Sequence, residues 1–218
     1  MSPRPRTRNL RRGQIAQAAL EMIAERGFQD VRVADVAARA GTTASGVLYH
    51  FESKEEMLDA AVSLVEDNFY AELEAATTLD RADERLVRLL ERGRRDDTPG
   101  TVAMWKVWLE VCVRALRERR TARRRRVLDQ RWRRTLAAVI RDGQAAGEFA
   151  VAADPEFVAL QLACLMDGLA IQFALGDHEV SGSRMTELLI ATAEQALGCE
   201  LGGYIDASLP AAKATQIK

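Results

Sequence analysis

An all-α fold is predicted for this 218-residue chain, and three features of the sequence predict it. Apolar residues recur at spacings of three and four through most of its length, as in helices with one buried face. No stretch alternates apolar and polar residues as a half-buried strand would. Glycine, proline and short hydroxyl or carboxylate residues punctuate the periodic stretches where helices end and begin, and they divide the chain into about nine helices.

Residues 1–8 are rich in proline and arginine and read as a loose arm. The first helix spans about Asn9–Arg26, with Ile15, Ala18, Ala19, Met22 and Ile23 as its apolar stripe, and Gly27 ends it. Val33, Val36, Ala37 and Ala40 form the face of a second helix. Gly41 closes that helix, where a left-handed residue is cheapest, and Thr42 or Thr43 caps the next. The third helix, about Ala44–His50, is too short to bury its own surface and must be held by neighbours. Two short helices joined by a tight turn make a helix-turn-helix over about 32–51, whose second helix enters the DNA major groove.

Ser53 opens a fourth helix, with Glu55 and Glu56 at its positive end. Its stripe is Met57, Leu58, Ala61, Leu64, Val65, Asn68 and Phe69, and it extends to about Thr78. Leu86, Leu89 and Leu90 point inward from a fifth helix. Asp96–Gly100 forms a loop. A sixth helix, about Thr101–Arg119, carries Met104, Trp105, Trp108, Leu109 and Cys112. A seventh carries Leu128, Trp132, Leu136, Val139 and Ile140 and frays through Gly143 and Gly147. Asp154-Pro155 supplies a cap and a first-turn proline for an eighth helix, Asp154–Leu175. After a loop at Asp177–Ser183 comes a ninth, about Ser183–Leu197, with Met185, Leu188, Leu189 and Thr192 on one face. The tail beyond it has no periodicity.

Composition bounds the function. The net charge of −1 conceals an asymmetry: residues 1–54 carry nine Arg or Lys against five acids, so they are net +4 and the remainder is net −5. A basic module on an acidic body fits a polyanionic partner for that module alone. Three widely spaced cysteines, Cys112, Cys164 and Cys199, argue for a reducing, cytoplasmic setting. No apolar segment follows the basic N-terminus as in a signal peptide. The most apolar window, Phe157–Gly176, contains Asp167 and two glutamines and is read as a buried or interface helix, so no membrane partner is expected.

The segments RRGQIAQAALEMIAERGF and VADVAARAGTTASGVLYHFESKEEML together resemble the DNA-binding module of the tetracycline-repressor (TetR) family. The resemblance rests on a helix ending in Gly-Phe, an "xIAxxAG" helix, "YHF" at the end of the recognition helix and "SKE" opening the next. It is strong over about residues 8–68. The C-terminal part is similar in layout, with Trp108-Leu109-Glu110, GQAAGEF (143–149), DPEFVAL and LMDGLA (165–170). Two positions depart from the family: Arg32 stands where Thr or Ser usually caps the second helix, and Ala44-Ser45-Gly46 gives a small recognition surface.

The resemblance implies a DNA-binding domain over 8–68, a ligand-binding and dimerisation domain over 69–200, and tails at 1–7 and 201–218. It implies a homodimeric transcriptional regulator, most simply a repressor that a small-molecule effector releases from a palindromic double-stranded operator, with helices 154–175 and 183–197 of two copies forming the dimer. The alternative is a ligand-binding or protein-interaction module that has lost operator binding.

Candidate DNA contacts are Arg32, Thr42, Thr43, Ser45, Tyr49, His50 and Lys54. Short hydroxyls reach base edges or phosphates; the resemblance assigns phosphate contacts to Tyr49, His50 and Lys54. Arg11 and Arg12 either touch the DNA backbone or belong to a solvated arm. Candidate pocket residues are Asn68, Phe69, Met104, Trp105, Trp108, Cys112, Met166, Asp167 and Phe173, an aromatic lining with few polar groups, against the plainer reading of core packing. Ten arginines in Arg117–Arg134 suggest either a second nucleic-acid patch or a solvated corner paired with the acidic remainder; the corner is preferred, because Leu128 and Trp132 interleave as core. No histidine–cysteine cluster has metal spacing and no nucleophile–base pair stands out, so no catalytic residue, metal or cofactor is expected.

Overall fold

The computed structural model describes residues 5–91 and 99–201. In chain order its helices are α1 (Pro5–Asp30), α2 (Val33–Arg39), α3 (Ala44–His50), α4 (Lys54–Thr77), α5 (Ala82–Leu90), α6 (Pro99–Ala115), α7 (Arg119–Ala145), α8 (Pro155–Leu175) and α9 (Gly182–Leu197). No strand occurs among the described residues. The expected loop at Asp96–Gly100 lies mostly outside them, and α6 starts at Pro99, where proline suits a first turn. Residues 1–4 of the expected arm and 202–218 of the expected tail also lie outside them.

Backbone packing groups the described residues into two compact units. Of the described residues, the first draws on 5–72, 99–129 and 173–176; the second on 73–91, 130–172 and 177–201. The first thus includes α6, which lies beyond the 8–68 segment in sequence. The reason is visible in the core. Val107 and Val111 of α6 are buried with Ile15, Ala19, Met22 and Ile23 of α1, Val36 and Ala37 of α2, Val47 of α3, Phe51, and Met57, Leu58 and Ala61 of α4. Helices of seven residues are unstable alone. Burying a Val or Phe side chain contributes about 1.5–3 kcal/mol, so Val36, Val47 and Phe51 hold α2 and α3 in place.

Local signals explain the boundaries, with some corrections. α1 begins earlier than Asn9 and does not stop at Gly27. Gly27 instead interrupts it with φ 74°, after which helical turns resume to Asp30. Gly41 is left-handed at φ 61°. Thr43, not Thr42, caps α3, its side chain accepting the Gly46 N–H. Arg32 makes no side-chain cap; α2 relies on Asp35 in its first turn and on pairs across to α1, Arg26–Asp35 at 3.1 Å and Arg39–Glu25 at 2.7 Å. Ser53 caps α4 by accepting the Glu56 N–H at 3.0 Å, and Glu56 accepts the Glu52 N–H at 2.6 Å.

In the second unit the core is built from Leu86, Val87, Leu89 and Leu90 of α5, Trp132, Leu136, Val139 and Ile140 of α7, the inner face of α8, and α9. The expected fraying at Gly143 is absent. α7 runs on to Ala145, and the chain folds back so that Glu148 donates its N–H to the Gly143 carbonyl at 2.8 Å. Asp154 caps α8 through the N–H groups of Glu156 and Phe157, at 2.9 and 3.2 Å. Ser181 caps α9. The buried face of α9 is Met185, Thr186, Leu189, Ile190, Ala193 and Leu197; Leu188 and Thr192 lie half-buried beside it. α8 is long and apolar enough to cross a membrane by length and composition, at mean hydropathy 1.7. It carries Asp167 and two glutamines, and its residues Val158, Ala159, Leu162 and Ala170 are core. The three cysteines are free; burial pushes the Cys199 thiol up to about 11.

Candidate functional site

The recognition helix is positioned from behind by two arginines of α1. Arg11 donates to the Gly41 carbonyl at 2.8 Å, which holds the turn. Arg12 donates to the His50 carbonyl, pairs with Glu56 at 2.7 Å and lies over the Phe51 ring at 4.2 Å. Of the two readings open for these residues, neither anticipated an intramolecular clamp. Nothing in local periodicity could have shown it, since the partners are 30 and 38 residues away.

Each expected DNA contact has a definite place. Arg32, Thr43, Ser45 and Tyr49 are exposed. Thr43 Oγ1 lies 3.0 Å from Ser45 Oγ, so the two hydroxyls form one small polar spot. Thr42 is half-buried; a Cβ at Gly46 would come within 2.5 Å of its Oγ1. Gly46 is therefore a close-packing glycine. The His50 ring packs edge-on against Tyr49 at 5.2 Å. Lys54 donates to the Gln29 carbonyl at 3.2 Å, leaving two ammonium protons for a phosphate.

Leu48 is the residue the sequence reading missed. It is 52% exposed beside Tyr49 at 57%. Only Val47 and Phe51, four apart, are needed for the core, so Leu48 falls on the outer face with Ala44, one turn earlier. The outer face therefore carries hydroxyls, an apolar side chain and a phenol, groups whose chemistry suits base edges, thymine methyls and phosphates.

The pocket candidates fall in both units. Asn68, Phe69, Met104, Trp105, Trp108, Cys112 and Phe173 belong to the first; Met166 and Asp167 belong to the second. Asn68 is exposed, not held within a buried apolar face as expected; Phe69, Met104, Trp108, Cys112 and Asp167 are half-buried, and Met166 and Phe173 are buried. The ordered feature here is an aromatic pair on α6. Trp105 and Trp108 meet edge to face with centroids 5.7 Å apart, and the Arg125 guanidinium lies over the Trp108 ring at 5.2 Å. The indole N–H of Trp105 is buried without a hydrogen-bond partner, which is costly for a donor. No group of three or more potential metal ligands occurs among the described residues.

This fold and this exposed third helix define a protein of the helix-turn-helix DNA-binding class with a C-terminal helical domain. Comparison with known proteins is consistent with that class. Residues 15–61 match the profile of bacterial regulatory proteins of the tetR family, and residues 82–198 match that of the BetI-type transcriptional repressor C-terminal domain. The chain belongs to the TetR family of transcriptional regulators, with a BetI-type repressor domain. It is 30% identical over 170 residues to the HTH-type transcriptional regulator BetI of Cronobacter sakazakii, covering 76% of this chain and 80% of that one. Among solved structures, a transcriptional regulator from Saccharomonospora viridis in complex with choline is 34% identical, with a TM-score of 0.76 over 85% of this chain and 96% of that one. A TetR-family regulator from Rhodococcus sp. is 28% identical, with a TM-score of 0.73 over 86% and 98%.

Proposed function

We propose that the protein is a cytoplasmic homodimeric repressor that α3 and Lys54 seat on a near-palindromic operator, and that a small quaternary ammonium compound of the choline type releases it. The aromatic pair of α6 carries the effector assignment. Faces of tryptophan attract quaternary ammonium groups, and the orphaned Trp105 N–H suits the hydroxyl oxygen that choline bears beside its cationic head. Arg125 over Trp108 is a cation already seated on one of these rings. The choline held by the Saccharomonospora viridis relative supports the same chemistry.

An exposed stripe on α8 supports the dimer. Phe157, Leu160 and Leu175 are 59%, 42% and 71% exposed, and Gln161, Cys164 and Gly168 lie along the same side. Nothing lies within 4 Å of where a Gly168 Cβ would be, so a second helix can approach closely. With the outer residues of α9, two copies would bury this stripe in a four-helix bundle. The two recognition helices would then meet successive major grooves about 34–36 Å apart.

The test is a gel shift on the chain's own upstream DNA with choline titrated in, alongside tryptophan fluorescence. Choline should quench the fluorescence saturably and release the DNA over the same concentration range. Binding to DNA that choline leaves untouched, with no fluorescence change, would refute the effector assignment. A monomer at micromolar concentration in sedimentation would refute the dimer.

A further inference from the structure

Residues 116–127 hold seven arginines against a single acid, Glu118, and the structure sorts them into two sets. One set is spent internally. Arg124 donates to Glu66 at 2.6 Å and to Ser63 at 2.9 Å. Arg125 pairs with Asp129 at 2.6 Å. Arg120 reaches Asp59 at 2.8 Å while remaining 85% exposed. The other set faces outward. Arg117, Arg119 and Arg123 are exposed and pair with no carboxylate among the described residues, and Arg126, also exposed, donates only to the Ala122 carbonyl of its own helix, at 3.3 Å. Arg119, Arg123 and Arg126 recur at spacings of four and three, so they share one face of α7.

Among the described residues no carboxylate pairs with Arg119, Arg123 or Arg126. The nearby acids are occupied: Asp59 takes Arg120, Glu66 takes Arg124 and Asp129 takes Arg125, and Glu118 accepts from Arg114 at 2.7 Å and from Thr121 at 2.9 Å. The first turn of α7 contains no acid, so Arg119 and Arg120 add charge at the positive end of the helix, where it is unfavourable. Like charges one turn apart add to that cost. The patch also has a fixed position within its unit. Arg114 and Arg120 both bind Asp59, at 3.6 and 2.8 Å. Asp59 lies five residues past Lys54 on α4, about 7.5 Å of helix rise.

We propose that Arg119, Arg123 and Arg126, flanked by Arg117 and Arg120, form a second phosphate-binding surface for duplex DNA outside the operator half-site. The proposal rests on α3 and Lys54 binding the operator. Duplex DNA suits the patch better than single-stranded nucleic acid, because single strands need aromatic stacking platforms. The exposed apolar neighbours are Leu116 and Val127, whereas Trp132 is buried and Arg125 covers Trp108. The seven-step offset from Arg119 to Arg126 rises about 10 Å along the helix, enough to meet about three phosphates of one strand at 3.4 Å axial spacing.

The experiment compares two duplexes from the chain's own upstream region: the footprinted operator alone, and the same operator extended by about 10 bp, one helical turn, on each side. Wild-type protein should bind the longer duplex more tightly, and raising the salt should erase that advantage. The triple variant R119Q/R123Q/R126Q should bind both duplexes like wild type on the short one. Its slope of log affinity against log salt on the long duplex should be shallower than wild type by about two to three, near 0.9 per lost phosphate contact. The triple Lys variant should keep the length advantage. Equal wild-type affinity for both duplexes, equal losses by the Gln variant on both, or a loss confined to single-stranded RNA would each overturn the proposal. Failure of wild-type protein to bind the short duplex would instead refute the operator reading on which it rests.

Discussion

Glu110 of α6 points its carboxylate at the interruption of α1, with Oε2 3.4 Å from the backbone N of Phe28 and the same group 3.2 Å from where a Cβ on Gly27 would lie. One turn on, Arg114 lies over the Phe28 ring at 5.2 Å and reaches Asp59 of α4 at 3.6 Å. Trp105 and Trp108 precede Glu110 on the same helix. A shift of α6 caused by a ligand at the tryptophans would therefore pull on both α1 and α4. Glu110→Ala should leave choline binding within about twofold but reduce its effect on operator affinity, a coupling ordinarily worth about 1–3 kcal/mol. Operator affinity measured with and without ligand decides it; an unchanged ratio would remove Glu110 from the coupling path.

Gly27 sits in the same junction at φ 74° and ψ 168°, a region essentially reserved for glycine, where an L side chain costs about 1–3 kcal/mol. Gly27→Ala adds crowding against Glu110, so its thermal midpoint should fall by several degrees. A midpoint equal to wild type would mean that the interruption relaxes freely.

Lys54→Ala removes one cation from the start of α4 and its bond to the Gln29 carbonyl. It should weaken binding to every DNA sequence tested and make the salt slope shallower by about one. Leu48→Ala should do something different. Trimming an apolar side chain from the outer face of α3 should cost about 1 kcal/mol at one base position and leave the salt slope alone. A uniform loss across operator variants would place Leu48 outside base reading.

Much of this was legible in the sequence because helix ends are local. Gly41, Ser53 and Asp154 each act within a few residues, and the cap of α3 was narrowed to Thr42 or Thr43, so these roles follow from chemistry and spacing. The core stripe of α1 was legible for the same reason. What escaped were relationships between distant residues. The clamps of Arg11 and Arg12, the contact of Glu110 with Phe28, and the burial of Val107 and Val111 against α1 all depend on tertiary packing. The face of α9 was misplaced because Thr186 and Ala193 are small enough to be core while Leu188 looks like core. The ten arginines were legible only as an ambiguity: charge alone does not say which guanidiniums the carboxylates of α4 will capture.

Acid should loosen the recognition helix through Glu56. Its carboxyl is held below the ordinary value of 4.5 first by the hydrogen bond from Arg12 and then by the N–H of Glu52. A carboxyl with a depressed folded-state pKa stabilises the fold above its unfolded value. That contribution is lost as pH falls through the folded value. Glu56→Gln cannot ionise, so the difference in midpoint between wild type and Glu56→Gln should be present near pH 7 and shrink as pH falls from about 4.5 downward. A difference independent of pH would mean that the carboxamide replaces the pair fully.

The end of α7 gives the sharpest packing prediction. Gly143 is buried inside the helix, and Phe149 folds back over it, its N–H 3.2 Å from the Gly143 carbonyl. A Cβ at position 143 would lie 2.2 Å from the Phe149 ring, and that ring is itself only 4% exposed. The ring is buried and would have to move for the methyl to fit, so overpacking should win over the helix propensity that alanine gains. Gly143→Ala should cost about 2 kcal/mol, lowering the thermal midpoint by about 4–8 °C. The double variant Gly143→Ala/Phe149→Leu should be more stable than the sum of the two single changes, because the smaller side chain relieves the clash. Additive effects in that cycle would show that the ring and the glycine are not in contact.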